Sequence, residues 1–155
     1  MNVALRRQAE AERMIPDAPV QASRSIIIGT SADAVWRLLT DVADWPRWYG
    51  YLKNAQLAGA FASGTALTYG DIFKHRLRIA NVKQGELAML YGTMAGYTGI
   101  TRWDVKTVAG GGTKVIFTES SSGPLIKLLY GNASLGKHLE RWLIALKVEA
   151  EKPSR

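Results

Sequence analysis

Apolar and polar positions along this chain follow a two-residue period through the middle and a three-to-four-residue period near the end. Between Gly50 and Ser121 the apolar positions fall in short runs: Tyr51 to Leu57, Thr65 to Tyr69, Ile72 to Val82, Leu87 to Thr93, Tyr97 to Val108 and Thr113 to Ser121. Gly59 to Gly64, Gly70-Asp71, Lys83 to Gly85, Met94 to Gly96 and Gly110 to Gly112 interrupt them. These connectors are mostly shorter than the dozen or so residues a parallel crossover needs, so the runs predict successive antiparallel strands. In the run from Ile72, Lys74, Arg76 and Arg78 alternate with Phe73, His75, Leu77 and Ile79; in the run from Tyr97, Arg102, Asp104 and Lys106 alternate with Thr101, Trp103 and Val105. Each pattern describes a strand with one wet and one dry face.

A further strand over Val20 to Ile28 precedes the meander and stops at Gly29. Ser31 is a good N-cap, and Ala34, Val35, Leu38 and Leu39 form the apolar stripe of a short helix ending near Asp41. A second brief helix follows from Asp44 through Trp48, with Pro46 where a first turn tolerates it. From Pro124 to Glu151, Leu128, Leu135, Leu139, Trp142 and Leu146 mark a long amphipathic helix; Gly131, Asn132 and Gly136 predict a break or kink in its first half.

One sheet with a charged outer face must cover its inner face, and the terminal helix is the only cover of sufficient size. The reading is therefore an α+β helix-grip domain over residues 19–151, in which a curved antiparallel sheet of about seven strands surrounds a long helix. Residues 1–18 are read as an N-terminal arm, either flexible or a short helix with Arg6 and Glu10 as an i,i+4 pair. A sheet closing on one end of a helix leaves room at the other, where an apolar ligand is expected.

Composition narrows the function classes. The 155 residues contain no cysteine, which excludes disulfides and thiolate chemistry, and the two histidines, His75 and His138, have no metal-ligand spacing. No cofactor or metal is expected. The net charge of +7 is dispersed, and Lys74, Arg76 and Arg78 lack the interleaved aromatic residues of a base-stacking platform, so no nucleic-acid partner is expected. The longest uncharged stretch, Leu87 to Thr101, is too short and glycine-rich for a spanning helix, and the N-terminus lacks a secretory apolar core. A cytoplasmic monomer or homodimer is the default expectation.

The stretch Ala34-Val-Trp-Arg-Leu-Leu-Thr-Asp-Val-Ala-Asp-Trp-Pro-Arg-Trp48, continuing through Ala55 to Gly64, resembles the START, Bet v 1-like and polyketide cyclase/dehydrase-like superfamily (SRPBCC). The terminal stretch Leu143 to Glu151 is similar to that superfamily's last helix. The likeness spans about residues 20–151 and implies the helix-grip fold. Its members bind lipids, hormones or polyketides, or act as cyclases, toxins or chaperone regulators, and fold alone does not choose among these.

Parity directs His75 inward, as a hydrogen-bonded core histidine or as a polar or acid/base group. Glu119 shares the parity of Val115 and Phe117 and either sits exposed at the strand's end or, if it also faces the cavity, forms an acid/base pair with His75. Tyr69, Tyr91, Tyr97 and Trp103 offer apolar rings with polar tips, either as core or for orienting a ligand. The parity of Tyr91 stays open, since Leu87-Met89-Tyr91 and Ala88-Leu90 compete for the inner row. With Trp48, Phe73, Leu77, Met89, Phe117, Leu128, Asn132, Leu135 and Leu139 these residues make up the expected ligand-binding set. Three functions fit: a binding module for a small apolar molecule of lipid, polyketide or aromatic type; a cofactor-free cyclase, dehydratase or isomerase using His75 and Glu119; and a protein- or membrane-surface adaptor using the basic strand.

Overall fold

A computed structural model describes residues 2–94, 96–124 and 126–153. Ala95 and Leu125, which fall in the predicted Met94–Gly96 turn and at the start of the predicted terminal helix, lie outside the described residues.

The alternating runs form one curved, seven-stranded antiparallel sheet. Its strands are β1 (Val20–Ile28), β2 (Gln56–Leu57), β3 (Ala66–Tyr69), β4 (His75–Lys83), β5 (Leu87–Met94), β6 (Tyr97–Thr107) and β7 (Thr113–Ser122), in the order β1-β7-β6-β5-β4-β3-β2. The meander is as expected, and β1 closes its far edge by pairing with β7 from Val20↔Ser121 to Ile28↔Thr113.

Two strands are shorter than the alternation predicts. The run from Tyr51 keeps only Gln56–Leu57 as strand, because residues 50–54 form a turn held when Gly70 N–H donates to the Lys53 carbonyl at 2.6 Å. The run from Ile72 starts at His75 instead: Gly70, at φ +103°, tightens the turn until a Cβ there would lie 2.3 Å from the Phe73 carbonyl oxygen. Phe73 thus loses the inward orientation that parity predicts.

The helices are α1 (Val3–Glu10), α2 (Ala32–Thr40), α3 (Trp45–Trp48), α4 (Ile126–Leu129) and α5 (Asn132–Ala150). Ser31 caps α2 by accepting from Ala34 N–H. Pro46 lies in the first turn of α3, whose Arg47 reaches both Asp44 and, at 2.6 Å, Glu149 of α5. The expected long tail is split at Tyr130 and Gly131, while Gly136 stays inside α5 without breaking it. At Gly136 the missing side chain admits the β1 Arg24 guanidinium, which would lie 2.3 Å from a Cβ, and Arg24 goes on to donate to Glu140.

The main core lies between the inner sheet face and α2, α3 and α5, and includes Leu39, Trp45, Leu77, Leu90, Trp103, Phe117, Leu135, Leu139, Trp142 and Leu146. A second core lies on the outer face. There α1 sets Leu5 and Ala9 on Ala80, Leu87, Met89, Tyr91 and Ile100, with Met14 and Ile15 at the edge. A bulge between Ile79 and Asn81 turns Ala80 toward this outer layer.

Candidate functional site

The interior cavity lies where β3 to β7 face α3 and α5. Trp45, Trp103, Trp142 and Phe117 form its aromatic wall; Leu52, Leu77 and Leu90 add aliphatic surface; Tyr69, Thr101, Glu119 and His138 supply the polar groups. Its volume is about 30 Å³, room for a water or two. This corrects the expectation of a roomy pocket. Indole rings occupy the space that a sheet gripping one helix would leave open: Trp103 stacks on Trp142 at 5.6 Å, and Trp45 and Phe117 meet Trp103 edge-on at 5.8 and 6.3 Å.

This interior is poor in hydrogen-bond partners. The indole Nε1 atoms of Trp36, Trp45, Trp48 and Trp103 are buried without an acceptor, and so is Nδ1 of His75 without a partner. Such groups are expensive to bury unpaired, and two of them, on Trp45 and Trp103, stand in the cavity wall.

Glu119, paired with Thr101 across β6 and β7, is buried with no ion-pair partner among the described residues. Burial pushes its carboxyl up to about 7. The nearby Ser121 hydroxyl pulls the other way, by less than burial pushes. His138 is held below the usual histidine range by burial first and by Arg141 second. Tyr69 is pushed up by burial and then by the charge of Glu119, and Tyr130 rises for the same reasons to about 12. A carboxyl able to change charge near neutrality thus shares a small buried cavity with a neutral imidazole and a phenol.

The predicted ligand set divides. Tyr69, Leu77, Trp103, Phe117 and Glu119 line the cavity. His75 stacks on Tyr69 at 4.3 Å beside it, and burial together with His138 lowers its pKa to about 4. No hydrogen bond joins His75 to Glu119 among the described residues, so the expected pair is not formed. Tyr97 stacks on Tyr130 at the cavity's outer end, and Trp48 packs edge-on against Trp142. Leu135 and Leu139 are in the core around the cavity but not in its wall.

Five placements depart from expectation. Phe73 is exposed in the β3–β4 turn, and Leu128 is exposed because α4 turns Ile126 rather than Leu128 into the core. Met89 and Tyr91 face outward beneath α1, which settles the parity of β5: Ala88 and Leu90 form the inner row. Asn132 is exposed at the start of α5, where it accepts from Gln21 N–H at 2.9 Å. Sequence reasoning also left His138 and Trp142 out of the ligand set. Both lie on the helical stripe of Leu135 and Leu139, a signal present in the spacing.

Comparison with known proteins agrees with this architecture. The sequence matches the family described as "Polyketide cyclase / dehydrase and lipid transport" over residues 19–145. The chain belongs to that family. No curated protein matches it. Among solved structures, a hypothetical protein from Helicobacter pylori shares 18% identity at a TM-score of 0.73, covering 88% of this chain and 92% of its own. A START superfamily protein from Mycobacterium smegmatis shares 15% at 0.68, covering 84% and 97%. The ZhuI aromatase/cyclase from Streptomyces sp. R1128 shares 16% at 0.66, covering 84% and 93%. At these identities the likeness to the solved structures is one of fold. No described helix is long and apolar enough to cross a membrane.

Proposed function

We propose that this member of the polyketide cyclase and lipid transport family binds a small, largely apolar, ring-containing molecule bearing oxygen acceptors, in the cavity between sheet and α5. The observation that carries this reading is the cavity wall, in which Trp45 and Trp103 combine flat apolar faces with buried, unpartnered N–H groups. An aromatic ligand with a carbonyl or hydroxyl oxygen would supply both missing contacts. A drug-sized pocket needs roughly 300 Å³ or more, so binding requires rings to move aside. The stacked Tyr97–Tyr130 pair at the outer end is the natural group to yield.

Titration with 2-naphthol while following tryptophan fluorescence tests this. Saturable quenching is expected, and Trp103→Phe, which keeps a ring but removes the donor, should weaken it by roughly tenfold, the worth of one hydrogen bond. Absence of saturable quenching with 2-naphthol and related hydroxyarenes, together with no small molecule co-purifying in native mass spectrometry, would falsify the reading.

A second reading rests on Glu119. Its carboxyl near 7, beside His138 and Tyr69, suits proton transfer at a carbon next to a carbonyl, as a cyclase or dehydratase requires. Here Glu119 accepts the proton, while Tyr69 or His138 hydrogen-bonds the developing enolate; His75 positions Tyr69 through their stack. Deuterium exchange into a bound cyclic β-diketone, followed by NMR, should be accelerated by the protein and lost in Glu119→Gln. Equal exchange with both proteins leaves the site a binding site only.

A further inference from the structure

The end of the sheet that carries the cavity's polar groups also carries unusual exposed apolar surface. Tyr69 and His75 pair across the β3–β4 turn, His75 pairs with Met94 of β5, Met94 with Tyr97 of β6, and Thr98 with Ser122 of β7, so these strand ends share one rim. On that rim Ile72 is 87% and Phe73 69% exposed at the turn tip. Tyr51, at 74%, stands in the turn tied to Gly70 through Lys53, and Leu128, at 79%, stands on α4 just beyond β7. Scattered singly, exposed apolar side chains carry no meaning, but among the described residues the four most exposed large ones fall together on this rim.

Their neighbours are cations. Lys53, Lys74, Arg76 and Lys127 flank the four apolar residues, all exposed and none in an ion pair among the described residues, against the single carboxylate of Asp71 in the turn. Exposed cations elsewhere divide: Arg6, Arg47, Lys83 and Lys152 each have a carboxylate partner, whereas Arg7, Arg13, Arg37, Arg78, Lys106, Lys137 and Arg141 have none among the described residues. What sets the rim apart is the apolar tips standing beside its free cations. Apolar tips among unneutralised cations are complementary to an interface with buried acyl chains and surface phosphates.

The geometry points to this rim as the surface by which the protein docks on an anionic lipid membrane. Ile72, Phe73 and Leu128 enter the acyl boundary, Tyr51 lies at headgroup depth, and the four cations meet lipid phosphates. Docking brings the cavity's Tyr97–Tyr130 end toward the bilayer, so an apolar ligand would pass between the two without crossing water. The docking surface itself does not depend on what the cavity holds.

Co-sedimentation of the purified full chain with vesicles of mixed phosphatidylglycerol and phosphatidylcholine, or of phosphatidylcholine alone, tests the inference. Binding is expected to the anionic vesicles, falling with added salt, and to be weak on the neutral ones. Ile72→Ser with Phe73→Ser should weaken it by roughly tenfold or more. Lys74→Glu with Lys127→Glu should do the same by reversing charges each worth about fivefold. Tryptophan quenching by 2-naphthol on the same samples reports the cavity separately, so loss of quenching with vesicle binding intact speaks against the ligand reading alone. No binding to anionic vesicles overturns the docking surface, as does binding unchanged by the Ile72 and Phe73 pair. A concentration-dependent dimer that the same pair dissociates, without vesicle binding, assigns the patch to a second copy of the chain and overturns it equally.

Discussion

Glu119 shows how one buried group shapes both chemistry and stability. Folded, its carboxyl titrates at about 7 against an ordinary 4.5, because burial disfavours the anion. Below 4.5 both folded and unfolded chains hold the proton and the shift contributes nothing. As pH rises through the window from 4.5 to 7, the unfolded chain releases its proton first, and the fold loses stability. Above the window the loss is complete, about 3 kcal/mol at about 1.4 kcal/mol per pH unit. Glu119→Gln, uncharged throughout, should therefore be more stable than the parent at about pH 8, with the gap closing by about pH 4. Urea unfolding across this range measures it, and a gap independent of pH would contradict the buried, partnerless carboxyl. His75 and His138, both lowered, act in the opposite sense, favouring unfolding as pH falls below the usual histidine range. The difference between parent and variant removes their contribution. Alternation along β7 gave Glu119 the parity of Val115 and Phe117 but left an exposed position at the strand's end equally open, and only the structure shows it buried. Nor could alternation show that His138, from a helix nearly twenty residues later, would share its cavity while His75 turned aside to stack on Tyr69.

At the scale of elements, local pattern fixed which segments became strands and helices, whereas close approach between strands was legible only in space. Leu77, Gly92, Gly99 and Ser121 form one row across β4, β5, β6 and β7. A Cβ on Gly92 would stand 2.0 Å from the Arg76 carbonyl oxygen and 2.8 Å from the Leu77 Cα, and one on Gly99 would stand 2.1 Å from the Met94 methyl. The two glycines thus form a seam at which the sheet bends tightly over the cavity's outer end. In sequence they are merely small residues inside strands. Gly92→Ala meets backbone on a neighbouring strand, which cannot move aside cheaply, so it should cost at least the upper end of the about 1–3 kcal/mol typical of overpacking. Gly50→Ala, with nothing within 4 Å of its Cβ, should fall within about 0.5 kcal/mol of the parent. Chemical denaturation of the two variants tests the seam, and equal stabilities would rule it out.

The molecule as a whole is a sheet covered on both sides, and this was the largest departure from what patterning conveyed. An alternating meander with a basic outer row implies one wet face, yet β5 is buried along nearly its whole length. The cover is α1, too short and too charged to stand out, with only Leu5 and Ala9 buried. It is held by distant contacts that no local window contains: Ile15 N–H donates to Ser120 Oγ, Arg102 donates to the Glu12 carbonyl oxygen, and Lys83 pairs with the Glu12 carboxylate at 2.7 Å. Division of labour between the faces follows, since Met89, Tyr91 and Ile100 form the outer layer while Leu90, Trp103 and Phe117 form the inner one. Leu5 is the principal apolar anchor of α1, and truncating it leaves a cavity against Met89 and Tyr91 that exposed residues cannot refill. Leu5→Ala should accordingly cost about 2–3 kcal/mol in urea unfolding, within the range for buried leucines. Val3→Ala, on the exposed side of the same helix, should cost under about 0.5 kcal/mol. Neither change reaches the aromatic wall, so tryptophan quenching by 2-naphthol should be the same in both variants as in the parent. Stability lost together with quenching, under conditions where the variant remains folded, would show that the outer layer sets the shape of the inner one, and the two faces would then have to be treated as one coupled core.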